Sequence, residues 1–228
     1  MGIEIIPYLF AALTVIFTLL YQLSPLFKKK PLLSKMISSS CFVLTGVTAA
    51  IKSGNSVFSY CMLAALFLCL LGDFFLDFKN GKTFLTGVLF FSLGHLTYIS
   101  SFLKILTPSL MPHFRYMVIL FFGVIVCAVL HIKMDKISFP GKYKIMYLYS
   151  LLLIISFVVS ATRGFVAAMN GNHSFGICLM LGGALFMVSD AFLGSQLFGK
   201  PKAKNTGLWV AVTYFPAQAL FALSILFQ

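Results

Sequence analysis

The sequence predicts an all-α membrane protein, a single domain over residues 1–228 with eight transmembrane helices. Its 228 residues are 60% hydrophobic and 10% charged, and the mean hydropathy is +1.01. A soluble domain of this length has too little interior for so much apolar surface, so the chain is expected to lie in a bilayer. In addition, the apolar residues form separate runs of helical length, joined by short loops that contain Pro, Gly or Asn.

The predicted helices follow one another along the whole chain. They cover about 5–24, 33–51, 57–78, 83–104, 114–133, 144–162, 173–198 and 206–227, and runs of this length can cross a hydrocarbon core of about 30 Å. The positive charges near the first run follow it, beginning at Lys28, rather than precede it. This polarity favours a spanning helix over a cleaved signal peptide.

The distribution of Lys and Arg predicts the orientation in the membrane. Thirteen of the 17 basic residues are assigned to the loops after the odd-numbered helices, and four lie on the other side. Because cytoplasmic loops are enriched in Lys and Arg, both termini are predicted to lie outside. The net charge of +12 is explained by these loops and by anionic lipid, so no nucleic acid partner is expected. The Lys-rich loops and the compact length favour a bacterial inner membrane over the endoplasmic reticulum.

The acidic residues point to a functional site inside the membrane. The chain has five carboxylate side chains: Glu4, Asp73, Asp77, Asp135 and Asp190. Asp73 and Asp190 lie deep in the third and seventh predicted helices at similar depths, and an ionisable group there is costly enough to indicate function. The four residues from Asp73 (DFFL) resemble the four from Asp190 (DAFL), which suggests a four-plus-four helix repeat with parallel halves. Asp77 lies nearer the helix end and is expected to be solvated.

Four further polar residues are predicted to lie in the same half of the membrane. His95 and Tyr98 share a face of the fourth helix, and Tyr214 and Gln218 share a face of the eighth. Each of them alone is more typical of helix packing than of catalysis. The five cysteines all fall in apolar runs without zinc-ligand spacing, so neither a disulfide framework nor a metal site nor a cofactor is expected.

The pair of deep aspartates suggests acid–base chemistry. Two carboxylates close together in a low-dielectric site cannot both ionise without a large cost, so one is expected to keep its proton. Such a pair can act as general acid and general base on ethers and acetals, which are cleaved through an oxocarbenium ion. In a membrane the substrate would be a lipid. Two alternatives remain: a proton-coupled transporter or lipid flippase that uses the buried acids, and a metal-dependent lipid hydrolase that uses His95.

The order of these residues resembles the YhhN family of lysoplasmalogenases. The resemblance rests on Lys30-Pro31 before the second helix and on four segments: Gly72-Asp73-x-x-Leu76, Phe91-x-x-Gly94-His95-x-x-Tyr98, Gly183-Ala184 ahead of Ser189-Asp190, and Tyr214-x-x-Ala217-Gln218. Members of this family are eight-helix membrane enzymes. They hydrolyse the vinyl ether bond of lysoplasmalogen and release a fatty aldehyde and glycerophosphoethanolamine or glycerophosphocholine.

The resemblance implies roles for eight residues. Asp73 and Asp190 are expected to be catalytic without a metal or another cofactor. The residues expected to bind the lysophospholipid substrate are Lys30, His95, Tyr98, Ser189, Tyr214 and Gln218, and Lys30 would meet the lipid phosphate from the cytoplasmic side. Asp77 departs from the family pattern, in which an apolar or neutral residue is expected at that position.

Overall fold

The computed structural model describes residues 2–54, 56–78, 81–103, 113–200 and 205–228. Its long helices are α1 (Gly2–Leu23), α2 (Pro31–Ser53), α3 (Val57–Leu76), α4 (Gly81–Leu103), α5 (Phe114–Met134), α6 (Ile145–Met169), α7 (His173–Phe198) and α8 (Thr206–Ser224). Each of them contains a stretch long and apolar enough to cross a membrane. This confirms the prediction of an all-helical integral membrane protein, while the orientation of the termini and the four-plus-four repeat stay predictions.

The helix ends follow from local capping chemistry. Pro31 opens α2, at a position where a backbone N–H would have no helical partner, and Gly54 ends that helix with a left-handed φ of 88°. The Ser56 hydroxyl then caps α3 by accepting a backbone N–H at 3.1 Å. The Asn172 side chain caps α7 in the same way, with the Phe175 N–H as donor at 3.2 Å.

The sixth helix extends well past its predicted end. The sixth predicted helix ends near 162, before the positive charge of Arg163, but α6 continues to Met169. Arg163 is half-buried there, and its guanidinium lies 5.8 Å from the centre of the Phe175 ring in α7. The predicted end is therefore wrong, because an arginine that packs on an aromatic ring is tolerated inside a membrane helix.

The helices form a bundle in which neighbours along the chain mostly pack together. Helices α1 to α4 pack in sequence, α4 packs on α6, and α6, α7 and α8 follow in order before α8 returns to α1. Helices α2 and α8 also pack on each other, whereas α5 packs mainly on α6. The backbones of α6 and α7 meet at two glycines, since a Cβ built on Gly164 would lie 2.6 Å from the Gly176 carbonyl oxygen.

An aromatic cluster holds Tyr214 of α8 inside the bundle. The ring centre of Tyr214 lies 6.3 Å from that of Phe42, 5.9 Å from that of Phe91 and 5.4 Å from that of Phe186, all edge to face. Edge-to-face pairs of this kind stabilise a fixed ring orientation. The Tyr214 hydroxyl is thereby directed at Asp73, to which it donates a hydrogen bond.

Candidate active site

A cavity of about 570 Å³ occupies one half of the bundle, within the size range of known ligand pockets. Its walls come from the ends of α1, α3, α5 and α7 and from the beginnings of α2, α4, α6 and α8. This is the half that the charge distribution places toward the cytoplasm. Asp73 and Asp190 both line the cavity, and so does Asp77, which is half-buried. The fold therefore brings the two deep acids to one internal space.

Asp73 is surrounded by hydrogen-bond donors. The residue is 2% exposed, and the Lys35 ammonium lies 3.3 Å from its Oδ1. Ser39 and Tyr214 donate hydrogen bonds to its Oδ2 at 2.7 and 2.8 Å. Lys35 also donates to the Asp73 backbone carbonyl at 3.0 Å. A nearby cation and two hydroxyl donors offset the cost of burying a charge, so this environment suits the ionised carboxylate.

Three helices build this carboxylate site. Lys35 and Ser39 are four residues apart on α2, so their side chains share one face of the helix. That face meets α3, which carries Asp73, and α8, which carries Tyr214. The site therefore depends on the packing of α2 against both of its neighbours.

Asp190 has a different environment on α7. The residue is half-buried, and its Oδ2 accepts a hydrogen bond from the Tyr149 hydroxyl of α6. In the described part of the chain, the side-chain ion pairs are those of Asp73 and Asp135, so no basic side chain is paired with Asp190 there. The two aspartates thus differ, because one has a cation and two hydroxyl donors and the other has a single phenol.

Four of the six residues implied as substrate ligands are not among those that line the cavity: Lys30, His95, Tyr98 and Gln218. Tyr98 of α4 donates to Gln218 Oε1 of α8 at 2.7 Å, and both side chains are fully buried. His95 is 1% exposed, and its ring centre lies 4.6 Å from that of Phe186 and 5.8 Å from that of Tyr149. Neither ring nitrogen of His95 has a hydrogen-bond partner among the described residues. His95 therefore packs beside the tyrosine that binds Asp190.

The structure does not assemble the histidine-based metal site considered above. Across residues 2–54, 56–78, 81–103, 113–200 and 205–228, no three His, Cys, Asp or Glu side chains are grouped in a way that could hold a metal ion.

The lysine that lines the cavity is Lys35 rather than Lys30. Lys30 is exposed just before α2 and does not line the cavity. Lys35 lies within α2, as the predicted helix 33–51 implies, and its side chain is 17% exposed. Ser189 and Tyr214 do line the cavity, and the Ser189 hydroxyl donates to the Val210 carbonyl at 3.2 Å.

Sequence reasoning missed three polar residues of the site: Lys35, Ser39 and Tyr149. The four-residue spacing of Lys35 and Ser39 is a signal that a search for polar pairs on one helix face could have found. Tyr149 carries no comparable signal, because its partner Asp190 lies on another helix and only the packing of α6 on α7 joins them.

Fold and site together define a class of protein, an integral membrane protein with two unlike aspartates in a cavity at membrane depth. Residues 31–225, most of the chain, match the sequence model of the YhhN family. The protein therefore belongs to the YhhN family, which confirms the resemblance carried by its motifs. No curated protein and no solved structure matches the chain.

Proposed function

We propose that the protein is an intramembrane lipid hydrolase that cleaves the vinyl ether bond of lysoplasmalogen. The products are a fatty aldehyde and glycerophosphoethanolamine or glycerophosphocholine. One observation carries the proposal: Asp73 and Asp190 line one cavity but have unlike hydrogen-bond partners. Membership of the YhhN family supports it, because the sequence motifs resemble the lysoplasmalogenases of that family.

The cavity has the mixed character that a single-chain lipid requires. Most of its lining is apolar, and its polar lining includes Gln22 of α1, Lys35 of α2 and Asp77, which directly follows α3. A lysine suits a phosphate and a carboxylate suits an ammonium group. The lining therefore offers charges of both signs to a zwitterionic headgroup and apolar surface to a hydrocarbon chain.

The unlike surroundings give the two aspartates different roles. Asp190 is the general acid. At membrane depth, a carboxyl group without a paired cation has a lower free energy in its neutral form than in its charged form. Its proton is available to the substrate, and Tyr149 fixes the position of the carboxyl group. Asp73 is the carboxylate, which stabilises the positive charge that develops on the substrate. Lys35, Ser39 and Tyr214 hold Asp73 in place.

The hydrolysis balances in three steps. Asp190 gives its proton to the β-carbon of the vinyl ether; the C=C electron pair forms the C–H bond and leaves an oxocarbenium ion. Water then adds to the oxocarbenium carbon and gives a proton to Asp73, which forms a hemiacetal. As the hemiacetal collapses, its hydroxyl proton passes to Asp190, and Asp73 returns its proton to the glycerol oxygen while the C–O bond breaks. The aldehyde leaves and both carboxyl groups regain their starting states.

Aldehyde release from lysoplasmenylethanolamine by the purified protein in detergent tests the proposal. The wild type is expected to release aldehyde, and Asp190→Asn is expected to lower turnover by about 10²–10⁴-fold, the usual contribution of a general acid. The matched substrate control is a lysolipid with a saturated alkyl ether, which has no double bond to protonate. Thermal unfolding of each variant checks that it is folded.

The competing function is a proton-coupled transporter or lipid flippase, which needs a sealed membrane to be observed. Folded wild-type protein that releases no aldehyde in detergent, yet moves protons or lysolipid across proteoliposomes, would overturn the hydrolase. Full turnover by both Asp73→Asn and Asp190→Asn would keep the enzyme but refute the two-aspartate mechanism.

A further inference from the structure

Helix α5 lies at the edge of the bundle. It packs mainly on α6, and Val124 is its buried residue. It also contains the most hydrophobic of the membrane spans found among the described residues. Most of its surface therefore faces the hydrocarbon region of the bilayer rather than other helices.

The cavity extends into the gap between α5 and α7. Cys127 and Ala128 of α5 line it on one side, and Val188 and Ala191 of α7 line it on the other. Cys127 is exposed and Val188 is 39% exposed, and α5 and α7 are not among the closely packed helix pairs of the described residues. Two helices that line one cavity without packing closely on each other leave a gap in its wall. The cavity therefore opens sideways, between two membrane helices, rather than only toward the aqueous phase.

A polar cluster joins α5 to α7 beyond this gap, and we refer to it as the α5–α7 clasp. The Ser195 hydroxyl of α7 donates to the Asp135 carboxylate. His131 Nε2 lies 3.1 Å from Ser195 Oγ and 3.2 Å from the Ala191 carbonyl oxygen, and its Nδ1 lies 3.9 Å from Asp135 Oδ2. Because the hydroxyl is donated to the carboxylate and not to the imidazole, the clasp lacks the geometry of a serine nucleophile.

The clasp bounds the opening at one end. On α5, His131 lines the cavity one helical turn after Cys127, and only Ile132 lines it further along the helix. The gap itself is lined by Cys127, Ala128 and two aliphatic residues of α7. An opening with apolar walls and a polar boundary suits a hydrocarbon chain that arrives from the bilayer, with its headgroup kept on the polar side.

We propose that the gap between α5 and α7 is a lateral portal and binding channel for the single hydrocarbon chain of a lysolipid. The chain slides in from the bilayer between Ala128 and Val188, and the polar end of the lipid then lies beside the aspartates. The identity of the lipid rests on the proposed function, whereas the portal requires only a single-chain lipid. Volume also favours one chain, since about 570 Å³ is a typical space for one small ligand.

Neighbouring residues on α5 provide a matched pair of variants. Ala128 lines the portal, whereas Val129 is 45% exposed and does not line the cavity. Ala128→Trp is expected to lower kcat/KM for a long-chain lysoplasmalogen by roughly tenfold or more, with a smaller loss for a short-chain one. Val129→Trp should match the wild type with both substrates. Equal activity of the two folded variants on the long-chain substrate would overturn the portal.

Cys127 allows a second test that does not depend on turnover. A non-hydrolysable 1-O-hexadecyl lysophosphoethanolamine should slow the labelling of Cys127 by N-ethylmaleimide at least roughly tenfold if it occupies the channel in most molecules. The control is Cys127→Ser/Val129→Cys, whose thiol faces lipid and should not be protected. Mass spectrometry of the labelled peptide separates this thiol from the half-buried Cys61.

The two readouts separate the portal from the reaction. Protection of Cys127 without aldehyde release would overturn the proposed hydrolysis and support the portal. Aldehyde release with no protection of Cys127, or with equal protection of a thiol at position 129, would overturn the portal and leave the hydrolysis standing.

Discussion

Replacing Lys35 with methionine isolates the buried ion pair that holds Asp73. Lys35→Met keeps a long side chain but removes the ammonium that lies 3.3 Å from Asp73 Oδ1. The carboxylate would keep the hydroxyl donors Ser39 and Tyr214 and lose the cation. The side chains of Lys35 and Asp73 are 17% and 3% exposed, so water is poorly placed to replace the missing charge.

The expected loss is about 3–5 kcal/mol in the free energy of unfolding, the range for removing one partner of a buried ion pair. Asp73→Asn should cost less, because a lysine near a helix end can extend its ammonium toward the membrane surface. The double variant Lys35→Met/Asp73→Asn removes both charges. It should therefore be more stable than the sum of the single losses predicts, with a coupling energy of about 0.5–3 kcal/mol.

Unfolding in mixed micelles with increasing SDS, followed by circular dichroism, measures these free energies. Lys30→Met is the matched control, since it makes the same substitution at an exposed lysine near the start of α2 and should stay within about 0.5 kcal/mol of the wild type. A loss for Lys35→Met no larger than the loss for Lys30→Met would refute the reasoning. So would strictly additive effects of Lys35→Met and Asp73→Asn.

Two further substitutions test the other acid and the helix packing. Tyr149→Phe removes the phenol hydroxyl that donates to Asp190 and should lower the rate of aldehyde release roughly tenfold or more. Its control, Tyr147→Phe on the exposed side of α6, should keep the wild-type rate. Equal rates for the two variants would contradict the role of the Tyr149 hydroxyl. Gly164→Ala should lower the free energy of unfolding by about 1–3 kcal/mol, because its Cβ would lie 2.6 Å from a carbonyl oxygen of α7. Gly123→Ala, whose Cβ would meet nothing within 4 Å, should raise stability by up to about 1 kcal/mol. Thermal unfolding in detergent compares the two glycine variants, and a Gly164→Ala protein as stable as Gly123→Ala would exclude the close helix contact.

The sequence and the structure explain the difference between the two aspartates in different ways. The sequence suggests that proximity alone makes one carboxyl group keep its proton. The structure adds separate partners for each group: a lysine and two hydroxyls for Asp73, and one phenol for Asp190. The proposed division into acid and carboxylate therefore follows from the partners on α2, α6 and α8, none of which can be assigned from the spacing of the acids themselves.

Helix positions were readable from the sequence because the bilayer acts on each segment separately. The predicted seventh helix, 173–198, has the same bounds as α7 (His173–Phe198), and the predicted third helix, 57–78, ends two residues after α3 does. Helix-breaking residues mark such boundaries, as Gly54 does at the end of α2. The error at the end of α6 has the opposite cause, since Arg163 packs on the ring of Phe175, which lies on another helix, α7.

By itself, the sequence determined the all-helical membrane class, the family and the two acids at membrane depth. These follow from hydropathy, from segment length and from the rarity of charge in apolar runs, which are properties of one segment at a time. Only the tertiary structure decided that Lys35 and not Lys30 lines the cavity, that Tyr149 binds Asp190, and that α5 and α7 both line the cavity. The physical reason is that ion pairs, hydrogen bonds and openings depend on which helix faces meet, and eight apolar helices of similar length do not specify their neighbours through hydropathy.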